Sequence, residues 1–306
     1  MNSNEVKNQI HIGIISVMDG SYHPNKRLIE AAEALKHQAF LIHPGKFFMG
    51  SRRKALFLGR LEKDAPFDVI LPRLGATIKE YGLSLVRQFE LLGIPVINRY
   101  EAILLARNKF LTLQTLTKKG IPVPESMYVS NRHNLEGALL RLGGFPIVVK
   151  APESRQGRGV FLISSREGME PVLEEHLTRE KGLVLQRYIP PKGRRDLRLF
   201  VVGQRIIGAI ALRPKVGDFR ANIHLDAKAE PIQPTVEEAR LALRSTKALG
   251  LDISGVDMLQ SKDGLSHVLE VNYSPGFRGL EACIGEDVAT EIIHYAARAV
   301  RRPSCK

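Results

Sequence analysis

The stretch GVDMLQSKDGLSHVLEVNYSPG, residues 255–276, carries two carboxylates and an amide in strand-length segments. Lys262-Asp263-Gly264 supplies a turn, so Val256–Leu259 and His267–Asn272 are predicted to pair as antiparallel strands. Residues two apart in a strand share a face. Glu270 and Asn272 therefore point together, Leu269 and Val271 face the other way, and Asp257 reaches the polar face from the partner strand. Such oxygen donors suit Mg²⁺ bridging nucleotide phosphates. An isolated Glu-x-Asn would read as the wet side of a hairpin; the continuation into Ser274-Pro275-Gly276 favours the metal.

A second group lies upstream. Ile147–Lys150 and Val160–Ile163 read as strands joined by Glu153-Ser154-Arg155-Gln156-Gly157-Arg158-Gly159. Glycines in that loop let backbone N–H groups, at Gln156, Gly157 and Gly159, approach phosphates closely. Lys150, at the strand end, adds a point charge. The P-loop pattern G-x-x-x-x-G-K-[ST] is absent, and a plain hairpin turn accounts for the loop equally well. Further on, Asp196 and Arg198 share a strand face, with Arg213, Lys215, Arg220 and Asn222 just after the next strand. The acid suits ribose hydroxyls, and the arginines suit charge on a transferring phosphoryl group. Surface salt bridges are the competing account.

These groups need a scaffold, and the chain alternates to provide one. Strands at Ile12–Val17, Leu41–His43, Asp68–Leu71 and Val96–Asn98 are interleaved with helices at Asn25–Lys36 and Ser84–Leu92, a βαβ pattern implying a parallel sheet. No G-x-G-x-x-G follows the first strand, which discounts a dinucleotide site. A helix is predicted over Ala102–Lys119, and beyond it short strands pair through glycine turns with helices between them, an α+β texture. With 306 residues there is room for two or three cores. No apolar run is long enough to span a membrane, and the N-terminus lacks a secretory pattern. Two cysteines, Cys283 and Cys305, are too few for a disulfide framework, so a reducing cytoplasm is expected. The net charge of +13 concentrates at 46–60, 141–158 and 188–200, which are either solvated faces or attractors of polyanions such as phosphates, acidic peptides or ribosomal RNA.

Taken in order, these features resemble the ATP-grasp superfamily, specifically the RimK-type carboxylate–amine ligases. The most specific segments are PRLGATIKEYGLSLVRQFELLGIPVIN (72–98), ARNKFLTLQTLTKKGIPVPES (106–126), VGDFRANIH (216–224) and GVD…EVNYSPG. The resemblance implies α/β plus α+β architecture: an ATP-grasp fold with an N-terminal Rossmann-like pre-ATP-grasp domain over 1–107 and an ATP-grasp domain over 108–306. The latter divides into a first lid subdomain, 108–187, and a metal- and substrate-binding subdomain, 188–306. It also implies ATP held by Lys109 and Lys150, an adenine pocket lined by the backbone of Arg187, Tyr188 and Ile189, and Asp196 at the ribose. Arg198, Arg220 and Asn222 stand at the phosphate end, and Asp257, Glu270 and Asn272 bind two Mg²⁺ or Mn²⁺ ions. The implied reaction makes an acylphosphate that an amine then attacks, adding glutamate or another amino acid to an acidic peptide or protein C-terminus. Glutamate ligation to a small-molecule cofactor or carrier peptide, and a non-catalytic ATP-binding protein associated with the ribosome, stand as alternatives. A homo-oligomer is compatible with the resemblance. Two departures bear on specificity: Arg187 replaces the family's glutamate in Gln-Glu-Tyr-Ile, and Leu225-Asp226-Ala227 replaces Arg-Gly-Gly.

Overall fold

A computed structural model describes residues 9–53, 55–60, 67–75, 80–151, 159–178, 181–190, 194–214, 219 and 228–300. The chain opens with β1 (His11–Ile15), α1 (His23–Ala34), β2 (Gln38–Ile42), β3 (Phe47–Arg52), β4 (Ala55–Arg60), β5 (Val69–Pro72), α2 (Glu80–Leu91) and α3 (Tyr100–Ala106). The middle comprises α4 (Lys109–Lys118), β6 (Ser126–Val129), α5 (Leu135–Leu142), β7 (Ile147–Lys150), β8 (Val160–Ile163), α6 (Arg166–His176) and β9 (Leu183–Arg187). The last part holds β10 (Arg195–Val202), β11 (Arg205–Arg213), β12 (Lys228–Pro231), α7 (Val236–Ala248), β13 (Ile253–Gln260), β14 (Ser266–Asn272), α8 (Arg278–Ile284) and α9 (Val288–Val300).

Buried aliphatic runs such as Ile12-Gly13-Ile14-Ile15 pair in parallel, giving a sheet of order β2-β1-β5. Two antiparallel sheets follow, β6-β9-β7-β8 and β12-β11-β10-β13-β14. The predicted βαβ start and α+β remainder are both present. Three readings of elements need correction. The helix expected over Ala102–Lys119 is two helices, because Asn108 turns extended and its Oδ1 accepts from the N–H groups of Phe110 (2.9 Å) and Leu111 (3.1 Å) as a cap for α4. Val96–Asn98 makes only an isolated bridge, Ile70 with Val96. Residues 46–60, read only as a basic run, form the β3–β4 hairpin, in which Phe48 and Phe57 lie across Gly59 and Gly50.

Two hydrophobic clusters each draw on both early and late parts of the chain: Phe89 and Ile103 pack with Leu199 and Val271, and Ile14 and Leu28 with Phe277 and Ile293. The third takes its buried members from Val129 to Leu185 alone, beneath the β6-β9-β7-β8 sheet. A buried amide reinforces the join. Asn98 Oδ1 accepts from the N–H groups of Asp252 (2.6 Å) and Ile253 (2.8 Å), and its Nδ2 donates to the carbonyls of Ile253 and Tyr273 (both 2.7 Å). All its hydrogen-bonding capacity is thus met by main chain.

Candidate active site

Lys150 ends β7, facing a cleft between the two antiparallel sheets. Its Nζ donates to Gln186 Oε1 at 2.7 Å, and Gln186 Nε2 donates to Ser126 Oγ at 2.9 Å, so adjoining strands aim the ammonium. Burial pushes the Lys150 pKa down to about 8; the charge of Lys109 adds to the fall, while Glu270 and Asp257 oppose it. Gln186 was not assigned a site role from sequence. Its signal was a polar residue at a buried position of the run Leu183-Val184-Leu185.

On the opposite wall, Arg198 of β10, Asp257 of β13 and Glu270 of β14 are successive cross-strand neighbours. Arg198 grips Asp257 with both arms, Nε to Oδ1 at 2.6 Å and Nη2 to Oδ2 at 2.7 Å. Burial works against the charge on Arg198, yet Asp257 outweighs it and the guanidinium pKa is raised. Asn272 Nδ2 donates to Asp257 Oδ2 at 3.3 Å, leaving its Oδ1 as an oxygen donor beside the two carboxylates. Hard oxygens on one sheet face fit a divalent cation of the Mg²⁺ type. Among the described residues, no group of three or more His, Cys, Asp or Glu side chains is placed to hold a metal.

One side chain departs from its expected face. Asp257 pairs with Glu270, but Met258 pairs with Val268, so a β-bulge leaves Leu269 unpaired. The bulge breaks the period of two. Leu269 consequently lines the cleft with Glu270 instead of joining Val271 in the core.

Lys109, Arg187, Tyr188, Ile189 and Asp196 line the same cleft. Asp196 is buried and its pKa is raised, by burial first, against the pull of Arg194. Arg194, within the basic run 188–200, is enclosed: Nε donates to Asp196 Oδ2 (2.9 Å), Nη1 to Ile189 O (2.7 Å) and Nη2 to Phe219 O. Arg195 and Arg213 are paired too, with Glu238 at 3.4 Å and Glu230 at 2.9 Å. Each of these three arginines is thus paired with an acid. Gly159 closes the β7–β8 turn, its carbonyl accepting from Ala151 N at 2.9 Å. Gln156, Gly157, Arg220, Asn222 and Leu225-Asp226-Ala227, with Arg155, Arg158 and Lys215, lie outside the described residues.

The chain that forms this cleft is matched by known proteins over nearly its whole length. The model of the RimK PreATP-grasp domain matches residues 10–103 and that of the RimK-like ATP-grasp domain matches 106–296. The chain belongs to the RimK-type ATP-grasp family, as an ATP-dependent carboxylate–amine ligase that forms amide bonds, and this family works with ATP and Mg²⁺. A probable alpha-L-glutamate ligase of Shewanella frigidimarina is 37% identical over 298 residues, 97% of this chain and 98% of its own. Another, from Methanococcoides burtonii, is 37% identical over 276 residues, covering 90% and 91%. The RimK domain ATP-grasp protein of Sphaerobacter thermophilus superposes with a TM-score of 0.72 at 24% identity, over 94% of this chain and 99% of that one. The ATP-grasp ligase PsnB, solved with a precursor variant, Mg and ADP, gives 0.72 at 18% identity over 95% and 98%. The non-catalytic alternative is set aside by these relatives.

Proposed function

We propose that this ligase uses ATP to activate a carboxylate at the C-terminus of an acidic peptide or protein and joins to it the amine of glutamate. The observation that supports the reading is the single cleft lined by Lys109, Lys150, Asp196, Arg198, Asp257 and Glu270. Glutamate is suggested by the names of relatives such as the Shewanella frigidimarina protein. An acidic acceptor suits a net charge of +13, which concentrates anions near the surface. In the first step a carboxylate oxygen attacks the γ-phosphorus and ADP leaves, giving an acylphosphate. In the second the amine displaces phosphate: the C–N bond forms, the C–O bond breaks and a proton is released.

On this reading Lys109 and Lys150 hold the phosphates, with Gln156, Gly157 and Gly159 in the loop above them. The backbone of Arg187, Tyr188 and Ile189 lies along the adenine, and Asp196 meets the ribose. Arg198, Arg220 and Asn222 stabilise the transferring phosphoryl group. Asp257, Glu270 and Asn272 would hold two Mg²⁺ or Mn²⁺ ions, which when bound neutralise phosphate charge. Before ligands arrive, Arg198 keeps Asp257 oriented on that face.

The test is to incubate the protein with ATP, Mg²⁺, each amino acid in turn and a panel of acceptors, and to read products by mass spectrometry. Glutamyl additions to acidic peptides are expected. Addition of another amino acid, or products only on small molecules, would reject the substrate assignment.

A further inference from the structure

Among the described residues, Arg73 has a carbonyl and a ring for company at its guanidinium but no acid. It follows β5 directly, and its N–H donates to Ile15 O at 2.7 Å, which fixes it at the carboxyl end of β1. In the sheet order β2-β1-β5 the chain leaves β1 on one side and returns on the other, so the crevice beyond β1 and β5 is the switch point where open α/β sheets bind ligands.

The guanidinium reaches across this crevice. Nη2 donates to Pro275 O at 2.6 Å, and the group stands 5.8 Å from the centroid of Phe277. Nε is sealed from solvent and has no hydrogen-bond partner. Burial lowers its pKa to about 10, so it remains a cation at neutral pH. An enclosed guanidinium ordinarily sits against a carboxylate, since leaving it unpaired is costly. Among the described residues no acid pairs with Arg73: Asp19 accepts from Ser21 N and Oγ, and Glu281 faces His23 at 3.4 Å and Arg27 at 3.5 Å.

The loop that accepts this hydrogen bond connects to the strands of the cleft. Pro275 follows Asn272 by three residues, and a Cβ on Gly255, the Cα partner of Asn272, would meet Pro275 Cβ at 2.9 Å. The loop that Arg73 holds is thus packed against the two strands carrying Asp257, Glu270 and Asn272.

We infer that Arg73 binds a carboxylate of a substrate other than the one being activated. The source is either the incoming amino acid or an acidic residue of the acceptor. A planar guanidinium held by one carbonyl and paired with no described acid suits a carboxylate. The inference rests on the proposed ligation of glutamate to an acidic chain, and deepens it by assigning the residue that reads the second anion.

The experiment compares wild type, Arg73→Gln and Arg73→Lys in steady-state ligation. Substrates are L-glutamate, its α-amide and its γ-amide (glutamine), with acceptor peptides whose penultimate residue is acidic or amidated. Arg73→Gln is expected to raise KM for one carboxylate substrate roughly ten- to a hundredfold, the loss of a charge-assisted hydrogen bond. KM for ATP should stay within about twofold, and the preference for that substrate over its amide should collapse. Arg73→Lys should recover part of the preference. Whether glutamate or the acceptor loses its preference identifies the source. Unchanged discrimination between carboxylate and amide, or a uniform rise in every KM with a lowered melting temperature, would make Arg73 a strut for the Pro275 loop and overturn the inference.

If wild type joins a different amino acid, the same comparison is run with that amino acid and its amide, so failure of the glutamate reading is seen separately. If wild type ligates nothing in the panel, the protein loaded with ADP and Mg²⁺ is titrated with glutarate and glutamate. A rise in melting temperature for wild type, absent in Arg73→Gln, supports the site; equal rises, or none in wild type, reject it. Should Arg73→Gln not fold, Arg73→Lys carries the comparison.

Discussion

Glu270 and Asp257 face each other across the β13–β14 ladder, yet their removal should have different consequences. Among the described residues the Glu270 carboxylate has no hydrogen-bond partner that its loss would strand, so Glu270→Ala should lower ADP production by about 10²–10³ and leave the melting curve nearly unchanged. Asp257→Ala also strands Arg198, whose side chain is only 16% exposed. That variant should lose stability as well, by about 3–5 kcal/mol in a denaturant titration. Equal stability of the two variants would show that the Arg198–Asp257 pair contributes nothing to the fold. Lys150 gives a pH test. Its pKa of about 8 makes the free protein's ammonium present below that pH and lost above it. Phosphate favours the charged form, so affinity for a non-hydrolysable ATP analogue should fall as pH rises through about 8, by up to about tenfold per pH unit. Calorimetry on wild type and Lys150→Met checks this: the variant should bind weakly with a flat profile, and a flat wild-type profile would remove the buried ammonium from phosphate binding.

At the scale of elements, the bulge in β14 separates Leu269 from Val271, two residues that strict alternation would have placed on one face. Val271 is buried at 1% and Leu269 lines the cleft. Val271→Ala should therefore destabilise by about 1–3 kcal/mol with modest effect on KM for ATP. Leu269→Asp should do the reverse, raising that KM severalfold at nearly unchanged stability; a large stability loss in Leu269→Asp would return it to the core. This hairpin shows what was readable in advance. Glycine turns and residue types located the strands and the polar set, because these are local properties. The bulge, the break at Asn108 and the β3–β4 hairpin were not readable. A bulge is a matter of register between strands, and Asn108 caps or continues a helix depending on what packs behind it. That Arg194, in the basic run 188–200, is enclosed was likewise not readable: besides Asp196 its partners are the carbonyls of Ile189 and Phe219, which leave no trace in a sequence.

For the molecule as a whole, a net charge of +13 acts over a distance set by salt. Screening lengths shrink from about 30 Å at 0.01 M to about 8 Å at 0.15 M. KM for an acidic acceptor should rise across that range while KM for a neutral one stays level; an acidic acceptor insensitive to salt would confine recognition to buried contacts. Among the described residues no helix is long and apolar enough to cross a membrane. The separate core under the β6-β9-β7-β8 sheet should also exchange its amide hydrogens as its own cooperative unit, while the strands of the other two clusters exchange together.

Asn98 has a consequence for biosynthesis. Its partners lie 155 and 175 residues further along the chain, at Ile253 and Tyr273. A nascent chain folds from its N-terminus as it emerges, so the first sheet appears long before the backbone that completes its seam. Until β13 and β14 have left the ribosome, the buried amide has nothing to bond, and the face bearing Asp257 and Glu270 does not exist. On the proposed function, the same late hairpin that closes the fold also supplies the metal-holding face, so unfinished copies are expected not to consume ATP.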